Sequence, residues 1–192
     1  MARSKEFEEN VVLEKAMRLF WEQGYEKTSM NDLVEHMGIH RRSIYDTFAD
    51  KHTLFLKVMD RFGERVSSRW AAGIKQSQTA KQALQFIFDF IINGEEDVPP
   101  GCMFVNSAVE LAVRDEEIDA IATKAFAKSE ELLAEIVTWG QQNGEFTQQY
   151  EAKELAEYLQ NALAGLRVMV RTSVPKEKLQ RIAELNLRIL ET

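Results

Sequence analysis

The chain has 192 residues, of which 45% are hydrophobic and 29% charged, and its net charge is -7. This length and apolar content can form a sizeable core, which excludes a disordered chain, and no apolar stretch approaches the ~20 residues that cross a bilayer. The first ten residues lack the apolar region of an export signal, and the single cysteine agrees with a reducing compartment, so we expect a cytoplasmic protein.

The charge is distributed unevenly along the chain. Residues 1–71 contain 12 Lys and Arg and 12 Asp and Glu, whereas the remaining 121 residues contain 12 and 19 and carry the whole negative excess. An acidic average disfavours a nucleic-acid partner, because phosphate binding requires a basic surface. However, Arg41, Arg42 and Lys51 lie close together within the neutral part, which allows a local positive face there.

Apolar residues recur at spacings of three and four along the chain, and alternating strand-like runs are absent, which predicts an all-α protein of about nine helices. The first helix is predicted over residues 6–23 and ends at Gly24. Ser29 and Asp32 form a capping box that begins a short second helix, and this helix ends at Gly38.

The third predicted helix is also short and covers residues 40–48. Asp50 caps a fourth helix that is predicted to end near Trp70, ahead of Gly73. Turn-forming residues separate the later helices. These later helices are predicted over residues 79–93, 102–113, 115–142, 151–172 and 176–190.

Two short helices joined by a tight turn and flanked by longer ones are typical of a helix-turn-helix reader of DNA. In the third helix Ile44 and Phe48 are spaced to pack inward, which leaves polar side chains outside. Arginine can donate two hydrogen bonds to guanine, and hydroxyl groups reach phosphate oxygens. The alternative is an ordinary charged helix surface with a half-buried tyrosine. The DNA-binding candidates on this helix are Arg41, Arg42, Ser43, Tyr45 and Thr47.

Residues 6–56 resemble the DNA-binding domain of the TetR (tetracycline-repressor-like) regulators. The resemblance implies a sequence-specific DNA-binding transcriptional regulator, usually a repressor that an effector releases from a palindromic operator. It also implies phosphate contacts by Thr28 and Tyr45, a base or phosphate contact by Arg41, and a position near the DNA backbone for Lys51. The matching residues are Ala16, Leu19, Phe20, Gly24, Tyr25, Thr28, Leu33, Gly38, Ser43, Ile44, Tyr45, Phe48, Asp50, Lys51, Leu54 and Phe55.

Two positions depart from the family pattern. Arg42 stands where many members have glycine, and Asp46 stands where many have histidine. Both side chains could contact DNA, arginine through a base or phosphate and aspartate through a cytosine amino group. Since the two residues are four apart on one helix, an ion pair between them is the favoured interpretation.

The resemblance divides the chain into a DNA-binding domain (1–50), a linking helix (51–72) and an effector-binding and dimerisation domain (73–192). Residues 101–111 also resemble the effector domain of one TetR subgroup. Cys102 begins the helix of this stretch, where free backbone donors favour a thiolate that senses electrophiles or oxidants. The alternative is that Cys102 is a small buried hydrophobic residue, which is the commonest state of a free cysteine.

Helix-spaced aromatic residues can line a cavity for an apolar ligand or fill a core without one. Asn106 and Glu110 share a helix face, so they either point into such a cavity or cap a neighbouring helix. The candidates for the effector pocket are Phe62, Phe86, Phe90, Cys102, Phe104, Asn106, Glu110 and Trp139.

The last two predicted helices carry apolar stripes that favour a two-fold four-helix bundle between subunits, as the resemblance also implies. A dimer has a functional reason, because two recognition helices ~34 to 36 Å apart read a palindrome together. The interface candidates are Leu155, Leu159, Ala162, Leu166, Leu179, Ile182 and Ile189.

Two other classes of protein compete with a regulator. An enzyme or metal protein is disfavoured because His36 and His40 are separated by the turn at Gly38 and no Glu-x-x-His pair occurs, so we predict no catalysis, metal or cofactor. A protein-binding scaffold would use the same fold without DNA. The predicted partners are double-stranded DNA, a small-molecule effector and a second copy of the chain, with no membrane.

Overall fold

A computed structural model describes residues 8–191 of the chain. These residues form nine helices and no strand, which confirms the predicted all-α class. The helices are α1 (Glu9–Gln23), α2 (Met30–Met37), α3 (Arg41–Phe48), α4 (Lys51–Gln76), α5 (Ala80–Asn93), α6 (Met103–Leu111), α7 (Glu116–Gln142), α8 (Ala152–Met169) and α9 (Lys176–Leu190). Residues 6 and 7 of the first predicted helix lie outside the described residues.

The helix-turn-helix unit forms for local reasons. The Asp32 amide donates to the Ser29 hydroxyl at 3.1 Å, and the Ser29 amide donates to the Asp32 carboxylate at 2.8 Å, so the predicted capping box is present. Gly38 then adopts a left-handed conformation with φ 72°, which allows the chain to turn sharply into α3.

Helix α4 runs to Gln76, so the prediction that it ends near Trp70 is wrong. Gly73 lies inside the helix, and a Cβ atom there would lie 2.1 Å from the Phe86 ring. The glycine is therefore required by the close approach of α5 and does not end α4.

Helices α6 and α8 end two or three residues earlier than predicted. After α8, the Thr172 hydroxyl donates to the Met169 carbonyl at 2.7 Å. This bond satisfies one of the last helical carbonyls from outside the helix, and the helix ends there. None of the described helices is both long and apolar enough to cross a membrane.

The buried side chains form two clusters. The first joins α1–α4 to α6 and the start of α7, so residues from the second half of the chain help to close the core of the helix-turn-helix region. The second joins α5, most of α7, α8 and α9, together with Trp70 of α4. Helix α4 contributes to both clusters and connects them mechanically.

Candidate functional site

Helix α3 presents one face to the core and the other to solvent. Ile44 and Phe48 are buried, whereas Arg41, Arg42 and Tyr45 are exposed. Ser43 and Thr47 are half-buried at the edges of the outer face. The outer face is therefore a compact polar surface of arginine and hydroxyl groups on a rigidly packed helix, which we call the α3 face (Arg41, Arg42, Ser43, Tyr45 and Thr47).

At the amino end of α3, the first two backbone amides have no acceptor within residues 8–191. Its N-cap residue, His40, makes no side-chain capping bond, while its carbonyl accepts the amides of Ser43 and Ile44. The first-turn amides of Arg41 and Arg42 precede these bonds and point out of the helix end. Free amides at a helix start favour anions such as phosphate.

Arg41 is held in place by two neighbours. Its guanidinium group lies 3.5 Å from the Asn31 side-chain oxygen and 5.8 Å from the centre of the Tyr45 ring. Asn31 is an exposed residue at the start of α2 that the sequence analysis did not select. The sequence signal that could have identified Asn31 was a polar residue in the first turn of α2, beside the capping box.

Arg42 and Asp46 form the favoured intrahelical pair, with the guanidinium nitrogen 3.6 Å from the carboxylate. The Arg42 side chain is 90% exposed. A pair so exposed contributes little to stability, so Arg42 can turn towards another anion at small cost.

Thr28 does not present its hydroxyl to solvent, so the phosphate contact at this residue stays a prediction that its hydroxyl does not support. The residue is 0% exposed, and its hydroxyl donates to the Gly24 carbonyl at 2.6 Å. It closes the turn after α1.

Lys51 stacks its ammonium group over the Tyr25 ring, 4.1 Å from the ring centre. Partial burial lowers the pKa of Lys51 and raises the pKa of Tyr25. The structure thus places Lys51 at the start of α4 next to the helix-turn-helix region, but half-buried against an aromatic ring.

A cavity of about 930 Å³ lies between α4, α6 and α7, and we call it the main cavity. Among the predicted pocket residues, Cys102 and Phe104 line it. A smaller adjoining cavity of about 60 Å³ is lined by Phe62, Phe90 and Cys102. The two share four lining residues, which are Val66, Trp70, Cys102 and Arg167.

Four predicted pocket residues line neither of these two cavities, and their place in the effector pocket stays a prediction. Phe86 packs against Gly73, and Trp139 packs on the second core cluster. Asn106 also lies outside both linings. Glu110 instead accepts the amides of Tyr25 and Glu26, at 3.0 and 2.8 Å. These bonds join α6 to the turn between α1 and α2, and they do not cap the start of a neighbouring helix.

Cys102 occupies the N-cap position of α6 and is 7% exposed. Cys102 is one of the residues that line both cavities. Cys102 is therefore buried from bulk solvent and also borders a space that a ligand could enter. No group of three or more His, Cys, Asp and Glu side chains within residues 8–191 is arranged to hold a metal ion.

Arg167, Trp70 and Trp21 are cavity residues that the sequence analysis did not select. Arg167 follows Leu163 at a spacing of four on the buried side of α8, where leucines otherwise dominate. A charged residue at a core position of an apolar stripe was the signal that could have identified it.

The predicted interface stripe is partly wrong. Four of its leucines are buried in the core of their own subunit, so they have no surface to offer a partner: Leu155, Leu159, Leu166 and Leu179. Ala162 and Ile182 are half-buried, and Ile189 is exposed. The exposed apolar residues next to them were not selected, and they are Tyr158, Val168 and Leu185. We call Tyr158, Ala162, Val168, Ile182, Leu185 and Ile189 the α8–α9 outer face.

Side chains from the second half of the chain bind the end of α1. Beyond α8, Arg171 donates to the carbonyls of Trp21 and Glu22, at 3.0 and 3.2 Å, and to Pro100 at 3.3 Å. Arg65 of α4 bridges Glu14 of α1, at 2.7 Å, and Glu95 of the loop before α6, at 2.6 Å. A shift of α4 or α8 would therefore be transmitted to α1 through these hydrogen bonds and ion pairs.

Both halves of the chain match known sequence families. Residues 12–58 match bacterial regulatory proteins of the tetR family, and residues 80–185 match the tetracyclin repressor-like C-terminal domain. The HTH-type transcriptional repressor ComR of Escherichia coli (strain K12) is 32% identical over 190 residues, which cover 97% of this chain and 90% of ComR. The HTH-type transcriptional regulator YezE of Bacillus subtilis (strain 168) is 30% identical over 197 residues and covers 100% of both chains.

Solved structures share the same fold. A cysteine-substituted form of the TetR family regulator CifR, complexed with a 26-base-pair operator DNA, superposes with a TM-score of 0.83 and 25% identity. The match covers 97% of this chain and 98% of that one.

Proposed function

Because the chain belongs to the TetR family of DNA-binding transcriptional regulators, we propose that it is a homodimeric repressor that a small-molecule or electrophilic effector releases from a palindromic operator. The observation that carries the proposal is the exposed α3 face, which stands on the buried anchors Ile44 and Phe48. ComR, the relative described above, is a repressor by name.

In this proposal Arg41 and Arg42 contact bases or phosphates, and Tyr45 contacts a phosphate. Ser43 and Thr47 line the edges of the contact, while Lys51 lies towards the DNA backbone at the start of α4. The free amides at the start of α3 support a phosphate contact there. The hydrogen bond that Arg41 donates to the Asn31 side-chain oxygen supports a preset arginine geometry.

The dimer is proposed to form through the α8–α9 outer face. Tyr158, Val168, Leu185 and Ile189 expose apolar surface on two adjacent helices. Gly165 lies within the same stripe of α8 and has open space where a side chain would be, which permits close helix approach. Two copies would then bury this surface in a four-helix bundle and hold two α3 faces on one side of the DNA.

The effector is proposed to act from the main cavity. Helix α4 forms one wall of that cavity and packs on α1. Arg171, just after α8, binds the end of α1, and Glu110 of α6 binds the turn that follows it. A ligand that fits the cavity best when α4 is displaced would move the two α3 faces apart and release the DNA. An effector with equal affinity for both states would have no effect.

Cys102 provides the electrophilic version of the same proposal. The residue lines both cavities, so a reactive ligand held there would modify its thiol in place. Release of operator DNA by an electrophile, abolished in Cys102→Ser, is the expected result. Release by the same compound in Cys102→Ser would assign the effect to reversible binding.

We further propose that the chain is not an enzyme and works in the cytoplasm, with the DNA that it regulates. Membership of a regulator family supports both statements.

The first test is selection of an operator from random DNA, followed by titration of the selected site at several salt concentrations. Arg41→Ala should weaken specific binding by about 1–3 kcal/mol and lower the salt dependence if the contact is to phosphate. Arg181→Ala, an exposed arginine on α9, is the matched control and should bind like the parent chain. Failure of the parent chain to select any DNA would contradict the proposal.

The dimer is tested by sedimentation of a variant that carries Val168→Glu and Leu185→Glu. Burying two carboxylates in an apolar interface should give a monomer. Val113→Glu, at a residue that is 97% exposed outside this face, should remain dimeric.

A further inference from the structure

Three side chains that line the smaller cavity carry hydrogen-bond donors that have no acceptor within residues 8–191. From them we propose that the effector carries an anionic carboxylate on an apolar body, and that Arg167 binds the carboxylate with the indole N–H groups of Trp70 and Trp21. The inference rests on the proposed function, because it names the chemical class of the effector in that site.

Arg167 is 6% exposed, yet no side chain within residues 8–191 forms an ion pair or hydrogen bond with its guanidinium group. Its one described contact is with the Trp70 ring, whose centre lies 5.5 Å from the guanidinium carbon. A guanidinium group has five N–H donors and accepts nothing. Burying it without an anion is costly, so a buried arginine normally has a carboxylate partner.

Two further donors belong to residues that line the same cavity as Arg167. The indole nitrogens of Trp21 and Trp70 are buried and have no hydrogen-bond partner within the part of the chain that the structure describes. Both tryptophans and Arg167 line the smaller cavity, and Trp70 and Arg167 line the main cavity as well. A ligand group that satisfies this set must supply only acceptors, which a carboxylate does.

The neighbouring acidic groups are already paired or exposed. Glu95 lines the smaller cavity, but its carboxylate binds Arg65 and Arg69, each at 2.6 Å. The other charged residues of the main cavity are exposed to solvent, which screens them. They are Asp60, Glu64, Lys124, Lys128, Glu131 and Glu135. Arg167 is therefore the buried charge that an incoming anion would meet at the inner end.

The rest of the main cavity favours an apolar body. Val66, Phe104, Ile121, Phe126 and Leu132 line it. Its volume of about 930 Å³ lies within the range of ~300–1,000 Å³ typical of small-molecule sites. The smaller cavity, at about 60 Å³, has space for a few water-sized groups, enough for a carboxylate.

The location also connects the anion to α1. Trp21 belongs to α1, and Arg171 follows Arg167 by four residues and donates to the Trp21 and Glu22 carbonyls. An anion held between Arg167 and Trp21 therefore bridges α8 and the last turn of α1. Binding of an anion there would therefore influence the position of the helix-turn-helix region.

The test uses hexanoate, decanoate and naphthalene-2-carboxylate, each beside its own amide, with 2-naphthylmethylamine as the cationic probe. Affinities are measured by calorimetry and by quenching of tryptophan fluorescence. We expect at least one carboxylate to bind at least about tenfold more tightly than its amide, since a hydrogen bond to a charged group is stronger than one to a neutral group. Equal binding of every acid and amide, or preference for the amine, overturns the inference.

Arg167→Met keeps an apolar side chain of similar length and removes the charge. It should lower carboxylate affinity by about ten- to a hundredfold and leave amide affinity unchanged. It should also raise the Tm of the ligand-free protein, because it removes an unpaired buried charge. Arg181→Met is the control and should change none of these values. Carboxylate preference retained in Arg167→Met overturns the inference.

Measuring operator binding for every variant distinguishes failure of the proposed function from failure of the inference about the effector. If the parent chain selects no DNA, the proposed function fails. If it binds operator normally and shows no carboxylate preference, the inference about the effector fails and the proposed function stands. Release of operator by a carboxylate in the parent chain, lost in Arg167→Met, is the result expected when both hold.

Discussion

The α3 face and the cavity region use arginine in opposite ways. Arg42 on α3 is 90% exposed and has a carboxylate one helical turn away. Arg167 on α8 is buried and has no anionic partner among residues 8–191. An exposed charge is hydrated whether or not it is paired, whereas a buried charge depends on what lies beside it. The Arg42 pair follows from spacing along one helix. The buried position of Arg167 exists only because separate helices pack together.

The two regions also differ in how residues that hold the fold are related to residues that are free to bind. On α3 the two kinds alternate along one helix, so the binding surface and its support can be changed independently. In the cavity region the same residues both pack and line the site, so changes there affect stability and binding together.

The largest effect is expected from Phe48→Ala, which removes a buried anchor of α3. Loss of this ring should lower the free energy of unfolding by about 3 to 5 kcal/mol, since a large cavity is left in the core. Tyr45→Ala, three residues earlier on the exposed face, should change stability little and weaken DNA binding. Chemical denaturation of both variants measures the free energy of unfolding of each. Equal destabilisation would contradict the claim that Phe48 holds α3 in place and Tyr45 does not.

Glu110→Ala removes the acceptor that joins α6 to the turn after α1. The amides of Tyr25 and Glu26 would lose their partner, at a cost of about 1–3 kcal/mol. Glu110→Gln keeps one acceptor oxygen and should recover part of the loss. Thermal unfolding of the two variants tests the contact, and an unchanged Tm in Glu110→Ala would show that it contributes nothing.

Asp115→Asn should reduce stability by roughly 1 kcal/mol at neutral pH, because the carboxylate caps α7 and lies 2.8 Å from the His52 ring nitrogen. Partial burial acts to raise the pKa of Asp115, but hydrogen bonds from Ile118 and His52 outweigh it and leave the pKa below its ordinary value of 3.8.

A carboxyl group with a lowered pKa in the folded protein stabilises it above the ordinary value, and this contribution is lost as pH falls through the folded value. The stability difference between the parent chain and Asp115→Asn should therefore shrink as the pH falls below 3.8. Urea titrations across this range provide the check. A difference that persists in acid would point to the shape of the side chain instead of its charge.

The smallest effect on stability is expected from Arg42→Ala, at most about 0.5 kcal/mol, since its ion pair is exposed. Operator affinity and its salt dependence should both fall if Arg42 turns to a phosphate. Asp46→Ala should instead leave operator affinity equal or stronger, because it frees the arginine. Weaker binding in both variants would indicate that the pair itself recognises the DNA.

Local signals predicted much of the helix-turn-helix region correctly. The Ser29 and Asp32 capping box, the left-handed turn at Gly38 and the Arg42–Asp46 pair involve residues no more than four positions apart or a single backbone conformation. The hydrogen-bond partner of the Thr28 hydroxyl could not be predicted locally, because this group can reach either a phosphate or a backbone carbonyl, and only the folded turn shows that it donates to Gly24.

The cavity and interface residues could be predicted only in part. A helix such as α8 carries two apolar stripes, and spacing does not reveal which one faces its own core. The stripe with more leucines is buried within the subunit, as Leu159 and Leu166 show, which leaves the weaker stripe of Tyr158 and Val168 outside.

The sequence by itself determined the helical class, the caps and turns of α2 and α3, and the resemblance to TetR regulators, because these depend on periodicity and on neighbouring residues. The tertiary structure decided that Gly73 lies inside α4, that Glu110 binds the turn after α1, and that Arg167 and two tryptophans line one cavity. Each of these depends on contacts between residues far apart in the chain. Such contacts are fixed by how the helices pack, and spacing within any one helix does not encode them.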